Sequence, residues 1–163
     1  MSGTEGQDRI TQEPSTREIV TGTQFSDRAR DLLREPFEGK PLKGILAILR
    51  PDGRIVQTEM WYDLRDDGTV LMNTTKFRRK YGHLQQSPSV SLLVSRGNYQ
   101  YVTMNGTVTL DDDPETSQRD VRHLAERYME EEEADKIMAD EFSKEDRVSI
   151  TLTPASITEY FSQ

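Results

Sequence analysis

Between residues 44 and 110 the apolar positions recur mostly with a period of two, and on either side they recur with the three-to-four spacing of a helix. "GILAILR" (44–50) is a short apolar run that predicts a buried strand, and "PDG" (51–53) predicts a tight turn after it. In "RIVQTEMWYDL" (54–64), Ile55, Gln57, Glu59 and Trp61 fall on one face and Val56, Thr58, Met60 and Tyr62 on the other. "RDDG" (65–68) turns the chain into a third strand, "TVLMNT" (69–74). "SVSLLVS" (89–95), the turn "RGN" (96–98) and "YQYVTMNGTVTL" (99–110) predict a further hairpin. "RVSITLTP" (147–154) is the last clear strand, with "SITEYF" (156–161) as a short addition. Six closely spaced strands with helices inserted predict a mainly β fold, a small antiparallel barrel with peripheral helices.

The helical stretches carry their own punctuation. In "SDRARDLLREPF" (26–37), Ser26 suits the N-cap, Asp27 the first turn, and Pro36 stops the helix. Ala29, Leu32 and Leu33 form its apolar side. "DDDPETSQRDVRHLAERYMEEEEADKIMADEF" (111–142) predicts an acidic helix begun by Pro114, with Val121, Leu124, Ala125 and Tyr128 at helical spacing. Residues 1–23 are rich in Thr, Glu, Gly, Gln and Ser and predict a flexible tail. That leaves 24–163 as a single domain.

Composition narrows the function classes. Charged residues make up 31% of the chain and the net charge is −8, which argues against nucleic acid or an anionic membrane as partner. No cysteine is present, so disulfides and thiolate metal sites are excluded. The longest apolar run, "GILAIL" (44–49), is far too short to span a bilayer, and the first residues lack an apolar signal core. A cytoplasmic protein is expected. His83 and His123 have no metal-ligand spacing, the run Glu130–Glu133 reads as a solvated face, and no Ser-His-Asp or Cys-His set can be assembled.

One segment runs against the acidic background. "TTKFRRKYGHL" (74–84) holds Lys76, Arg78, Arg79 and Lys80 within five positions. On a helix beginning near Thr74 or Thr75, Lys76 and Lys80 would share a face, a like-charge pair costing about 0.2–0.5 kcal/mol. Positive charge in a first turn also opposes the helix dipole. Two readings fit. The segment is a solvated basic face paired with carboxylates elsewhere, or it holds a phosphate-bearing anion against free N–H groups and the hydroxyls of Thr74 and Thr75.

In order and spacing, "FSDRARDLL", "GILAILRPDGRIVQTEMWYDL", "TVLMNTTKFRRKYGHLQQSPSVSLLV", "YVTMNGTVTL" and "RVSITLTPASI" resemble the split β-barrel proteins of the pyridoxamine-phosphate-oxidase-like superfamily. They are most similar to its F420-dependent reductase branch. The resemblance spans roughly 25–161. It implies a six-stranded split β-barrel, a homodimer, and a cofactor in a groove at the dimer interface. It implies coenzyme F420 as cofactor, with FMN as the alternative, and hydride transfer to a planar or conjugated small molecule. An FMN-dependent oxidase or reductase of the same fold, or a non-catalytic protein binding F420, a flavin or a tetrapyrrole, is the competing expectation. By position, the resemblance assigns Asn73, Thr74, Thr75, Arg78, Arg79 and Lys80 to the phosphate-bearing part of the cofactor. Thr58 and Met60 are assigned to its ring and Trp61 to the substrate side. Gly82 and His83 depart from the family pattern, standing where relatives often carry Arg and Asn.

Overall fold

The connection between two strands decides the shape of the sheet. In the computed structural model, which describes residues 18–162, strand β3 (Ile55–Met60) ends two residues before β4 (Asp63–Leu64). Yet β3 and β4 lie at opposite ends of the strand order β3-β2-β6-β7-β8-β5-β4. Only Trp61 and Tyr62 separate them, and Met60 to Asp63 spans about 11 Å at full stretch. The sheet therefore curls until its two edges meet, which makes it a split barrel.

The other strands are β2 (Gly44–Leu49), β5 (Val70–Thr75), β6 (Ser89–Ser95), β7 (Gln100–Asp111) and β8 (Arg147–Phe161). All pairings are antiparallel. The six expected strands are present, with differences at their ends. The stretch 54–64 breaks into β3 and β4, and 147–154 runs without interruption into 156–161 as β8. An eighth strand, β1 (Glu18–Gly22), pairs with the end of β8 from Phe161 to Ile157. That part of the expected tail is thus in the sheet, and residues 1–17 lie outside the described residues. Strand β8 is long enough to take β7 along one edge, and β5 then β1 along the other.

The alternation read from the sequence matches the burial. In β3 and the residues after it, Met60 and Tyr62 point inward, while Ile55 is 67% exposed. Leu46, Ile48, Leu92, Val102, Met104 and Ile150 fill the barrel and are inaccessible to solvent. Each such side chain contributes roughly 1.5–3 kcal/mol through burial.

Helix α1 (Asp27–Arg34) is capped as expected, the Ser26 hydroxyl accepting from Ala29 N at 3.1 Å. Ser26 also donates its backbone N–H (2.8 Å) and hydroxyl (2.6 Å) to the buried carboxylate of Glu159, anchoring the helix start to β8. The long acidic stretch divides into α3 (Pro114–Tyr128), α4 (Glu131–Asp140) and a single 3-10 turn, Phe142–Lys144. Asp113 caps α3 through Thr116 N at 3.0 Å. The run Glu130–Glu133 is exposed, as its charge requires.

The basic segment folds differently from expectation. Strand β5 continues through Thr75, and α2 spans Arg79–Gln86 with Arg78 at its N-cap position. Thr74 and Thr75 are strand residues, and Lys76 lies in the turn, where it pairs with Asp112 (3.0 Å) and Asp146 (3.5 Å). Lys76 and Lys80 therefore do not share a helix face. The pairing of β5 with β8 down to Thr75↔Arg147 outweighs the local helical preference of the segment. Among the described residues, no helix is long and apolar enough to cross a membrane.

Candidate functional site

Because the barrel closes through two residues, the rims around that closure remain open. Strand β4 pairs with β5 only at Leu71 and Val70, so Met72 to Thr75 have no strand partner on that edge among the described residues. A cleft of about 300 Å³ occupies the split. Glu59, Met60 and Trp61 contribute from the end of β3, and Asn73 and Thr74 from β5. Arg78 and Lys80 come from the start of α2, Val121 and Leu124 from α3, and Phe142 and Arg147 from the segment before and into β8.

One end of this cleft is cationic. The Lys80 side chain is half-buried and leans toward β3, donating to Thr58 Oγ1 at 2.9 Å with Met60 Sδ at 3.3 Å. Burial, followed by the positive charges of Arg78 and Arg147, holds its amine below the ordinary lysine range. No carboxylate pairs with Lys80 among the described residues. Arg147 is buried, and desolvation lowers its pKa despite its contact with Glu145. The hydroxyl of Thr74 is buried at the same cleft and has no hydrogen-bond partner. A buried hydroxyl left unpaired costs about 1–3 kcal/mol. Mutually repelling cations beside an orphaned hydroxyl form an arrangement that an oxyanion satisfies and water satisfies less well.

The other end is aromatic. Trp61 stacks on Tyr128, ring centroids 5.1 Å apart and planes 7° from parallel, and meets Phe142 edge-on at 6.2 Å. The Trp61–Tyr62 crossover is fixed by α3. Arg127 Nε donates to Tyr62 O at 3.0 Å, and Tyr62 N donates to the Tyr128 hydroxyl at 3.2 Å. The Tyr128 hydroxyl in turn donates to Leu42 O at 2.6 Å. Burial raises the pKa values of Tyr62 and Tyr128, so both remain neutral donors at physiological pH.

Of the residues expected at a site, Met60, Trp61, Asn73, Thr74, Arg78 and Lys80 line this cleft. Thr58 touches it only through Lys80. Thr75 is fully buried away from the lining, its hydroxyl also unpartnered. Arg79 is exposed and outside the cleft. The amide of Asn73 is occupied, donating to Ser117 O (3.1 Å) and accepting from Arg147 Nε (2.8 Å), so it shapes the wall from within. Arg147 and Phe142 were not legible. In sequence, Arg147 is the first residue of an apolar strand and Phe142 the end of an acidic helix. Val121 and Leu124 were recognised as an apolar helix side without any sign that it faced a cleft.

A second, shallower cleft of about 520 Å³ lies beyond α3, where His123 Nε2 and Asp63 Oδ2 are 2.6 Å apart. His123 is exposed on the surface of α3.

A curled antiparallel sheet with a cationic and aromatic cleft at its split defines a split β-barrel protein. Residues 26–161 match the family model described as pyridoxamine 5'-phosphate oxidase, and the chain belongs to that family of flavin-type oxidoreductases. No curated protein matches the chain. Among solved structures, a protein named F420 reductase is 28% identical over 82% of this chain and 98% of its own, with a TM-score of 0.62. A conserved hypothetical protein from Mycobacterium tuberculosis is 23% identical, covering 84% of this chain and 86% of its own, with a TM-score of 0.63. A pyridoxamine 5'-phosphate oxidase-related, FMN binding protein from Nostoc punctiforme shares the fold at 16% identity, covering 71% of each chain, with a TM-score of 0.52.

Proposed function

We propose that this chain is a coenzyme F420-dependent oxidoreductase, transferring a hydride between the deazaflavin and a planar or conjugated small molecule. The observation that carries the reading is the desolvated amine of Lys80 with Arg78 beside the orphaned Thr74 hydroxyl. A phosphate held in the cleft offers oxygens to the Lys80 amine and the Arg78 guanidinium. The 28% identity to an F420 reductase favours the deazaflavin over FMN. When bound, F420 supplies the hydride chemistry. The chain's own residues hold the phosphate at Lys80 and Arg78 and present Met60 and Trp61 to the ring system. Val121 and Leu124 keep water from the cleft floor.

The reading includes a homodimer, supported by the outer face of the sheet. Ala47, Ser91, Asn105 and Ser156 form one row across β2, β6, β7 and β8, with no charge in it. Leu49, Ile55 and Leu93 add apolar surface beside the row at 50%, 67% and 38% exposure. In a chain with 31% charged residues, a sheet face whose central row carries no charge, with Glu59 paired to Lys43 toward its edge, suits a second copy of itself. Light scattering is expected to give twice the chain mass for the wild type and the chain mass for Ala47→Arg. A monomeric wild type overturns this part.

Titration of the purified protein with F420 and with FMN, followed by fluorescence, tests the cofactor. F420 is expected to bind, and the cofactor supplied in its reduced form is expected to be oxidised on addition of an acceptor from a panel of quinones, enones and tetrapyrroles. Binding of FMN without F420 replaces the proposal with a flavin-dependent enzyme. F420 binding with no acceptor reduced replaces it with a non-catalytic carrier.

A further inference from the structure

Arg147 opens β8 at the cleft wall, yet its side chain is only 9% accessible. Three groups hold its guanidinium. Nε donates to Asn73 Oδ1 at 2.8 Å, Nη1 pairs with the Glu145 carboxylate, and the Phe142 ring centroid lies 4.5 Å from Cζ. The supports are themselves fixed. Asn73 is tied to Ser117 O, and the amide of Gln118 on α3 donates to Phe142 O (2.8 Å) and Glu145 O (3.2 Å). One Gln118 side chain thus clamps both ends of the turn that presents Phe142 and Glu145 to Arg147.

A guanidinium carries five N–H donors in a rigid plane. Here Nη2 meets no acceptor among the described residues. Among the described residues the only carboxylate on Arg147 is Glu145, while Arg78, Lys80 and Glu59 share its cleft. Lys80 is engaged on the β3 side, with Thr58 and Met60, whereas Arg147 is held on the β8 side. The cleft therefore presents cations on two walls. The donors of Nη2 are left without a protein acceptor on the β8 side among the described residues.

We infer that Arg147 is a second oxyanion receptor of this cleft, taking a carboxylate or phosphate oxygen through Nη2, with Gln118 as its positioning residue. The inference rests on the proposed cofactor reading only for the identity of the ligand, since the receptor geometry is complete without it. The oxyanion comes either from a further acidic group of the cofactor or from an acidic group on the acceptor.

Orthophosphate and benzoate, added separately to the full-length wild type, are the direct probes, read by the NMR resonance of the Arg147 Nε–H group. Both are expected to move it saturably. In Arg147→Lys and Gln118→Leu, about tenfold more of each probe is expected to reach half-saturation, read by thermal melting. For Gln118, a structural role alone would lower melting without changing the probe concentration at half-saturation. Restoration of that concentration by Gln118→Lys, which keeps a donor on a long stem, supports positioning. FMN and riboflavin, which differ by the phosphate, together with F420, then separate the sources. Weakened FMN or F420 binding with unchanged riboflavin binding assigns the oxyanion to the cofactor. Unchanged cofactor affinity with weakened benzoate binding assigns it to the acceptor. An Arg147 resonance that neither probe moves overturns the inference. A resonance that moves in a protein binding neither F420 nor FMN sinks the proposed function and leaves this receptor standing.

Discussion

Replacing Arg78 and Lys80 together with alanine is expected to weaken F420 binding by roughly two to three orders of magnitude at low salt. A hydrogen bond to a charged group contributes about 1.5–3 kcal/mol, and 1.4 kcal/mol is tenfold in affinity. The two residues are unequal. Lys80 is half-buried and desolvated, so it accounts for most of the loss. Arg78 is exposed, and solvent screening reduces its share. The deficit of the double variant should shrink as salt rises, because the exposed part of the attraction is screened over about 10 Å at moderate ionic strength. Folding should survive, since removing Lys80 relieves its repulsion with Arg147 and leaves no carboxylate unpaired.

The same residue sets a pH dependence. Burial and the neighbouring arginines hold Lys80 below its ordinary value of 10.5. A bound anion favours the charged amine, so binding takes up protons as the pH rises through that lowered value. Affinity must then fall with rising pH, beginning below the ordinary lysine range, and Lys80→Arg must remove that fall. Fluorescence titration across pH and salt measures both effects. An unchanged affinity in the double variant would return the segment to a solvated basic face.

Gly106→Ala is expected to cause the largest loss of stability among single conservative changes. Gly106 sits at the β-bulge in the β7–β8 ladder, where the register shifts between Asn105 and Gly106. A Cβ there would fall 2.1 Å from Thr153 O, 2.9 Å from Thr153 C and 3.0 Å from Pro154 Cα. All three are backbone atoms, so no rotamer relieves the clash. Either β7 moves off β8 or the bulge reopens, and β8 is the strand on which β1, β5 and β7 all pair. Overpacking of this kind costs about 1–3 kcal/mol and occasionally more, and each kcal/mol shifts Tm by about 2–4 °C at this size. A drop of roughly 2–12 °C is expected. Gly82→Ala is the control. Nothing lies within 4 Å of its Cβ, and it is exposed in α2, so the change should stabilise by up to about 1 kcal/mol. Calorimetry on the two variants reads both signs. A Gly106→Ala protein that melts with the wild type would mean the bulge is not where the pairing puts it.

The elements of this protein were legible in its sequence because they follow from local physics. Period-two alternation over 54–62 put Met60 and Tyr62 inward, Ser26 capped α1 and Pro114 opened α3. The local reading that mattered most for the site and failed was the helix start at Thr74, where pairing with β8 held the chain extended to Thr75. Concentrated positive charge in an acidic chain marked Arg78 and Lys80 as an anion site candidate, since charge clustering is visible without coordinates. It could not separate them from Lys76 and Arg79, whose charges differ from theirs only in where the fold sends them. Lys76 turns to Asp112 and Asp146, and Arg79 to solvent.

What the tertiary structure alone decided is the cleft itself. Two residues, Trp61 and Tyr62, join strands at opposite edges of the sheet, and that closure leaves a split between β3 and β5. Into the split come Phe142 and Arg147, some seventy residues beyond the basic segment, and the face of α3 bearing Val121 and Leu124. No spacing in the chain encodes such a meeting, because it depends on which strand edges pair and which are left open. The sequence by itself determined the strands, the caps and the positive segment. The pairing of β8 with its neighbours determined that the segment's charges face a buried arginine, and with it the chemistry the cleft can hold.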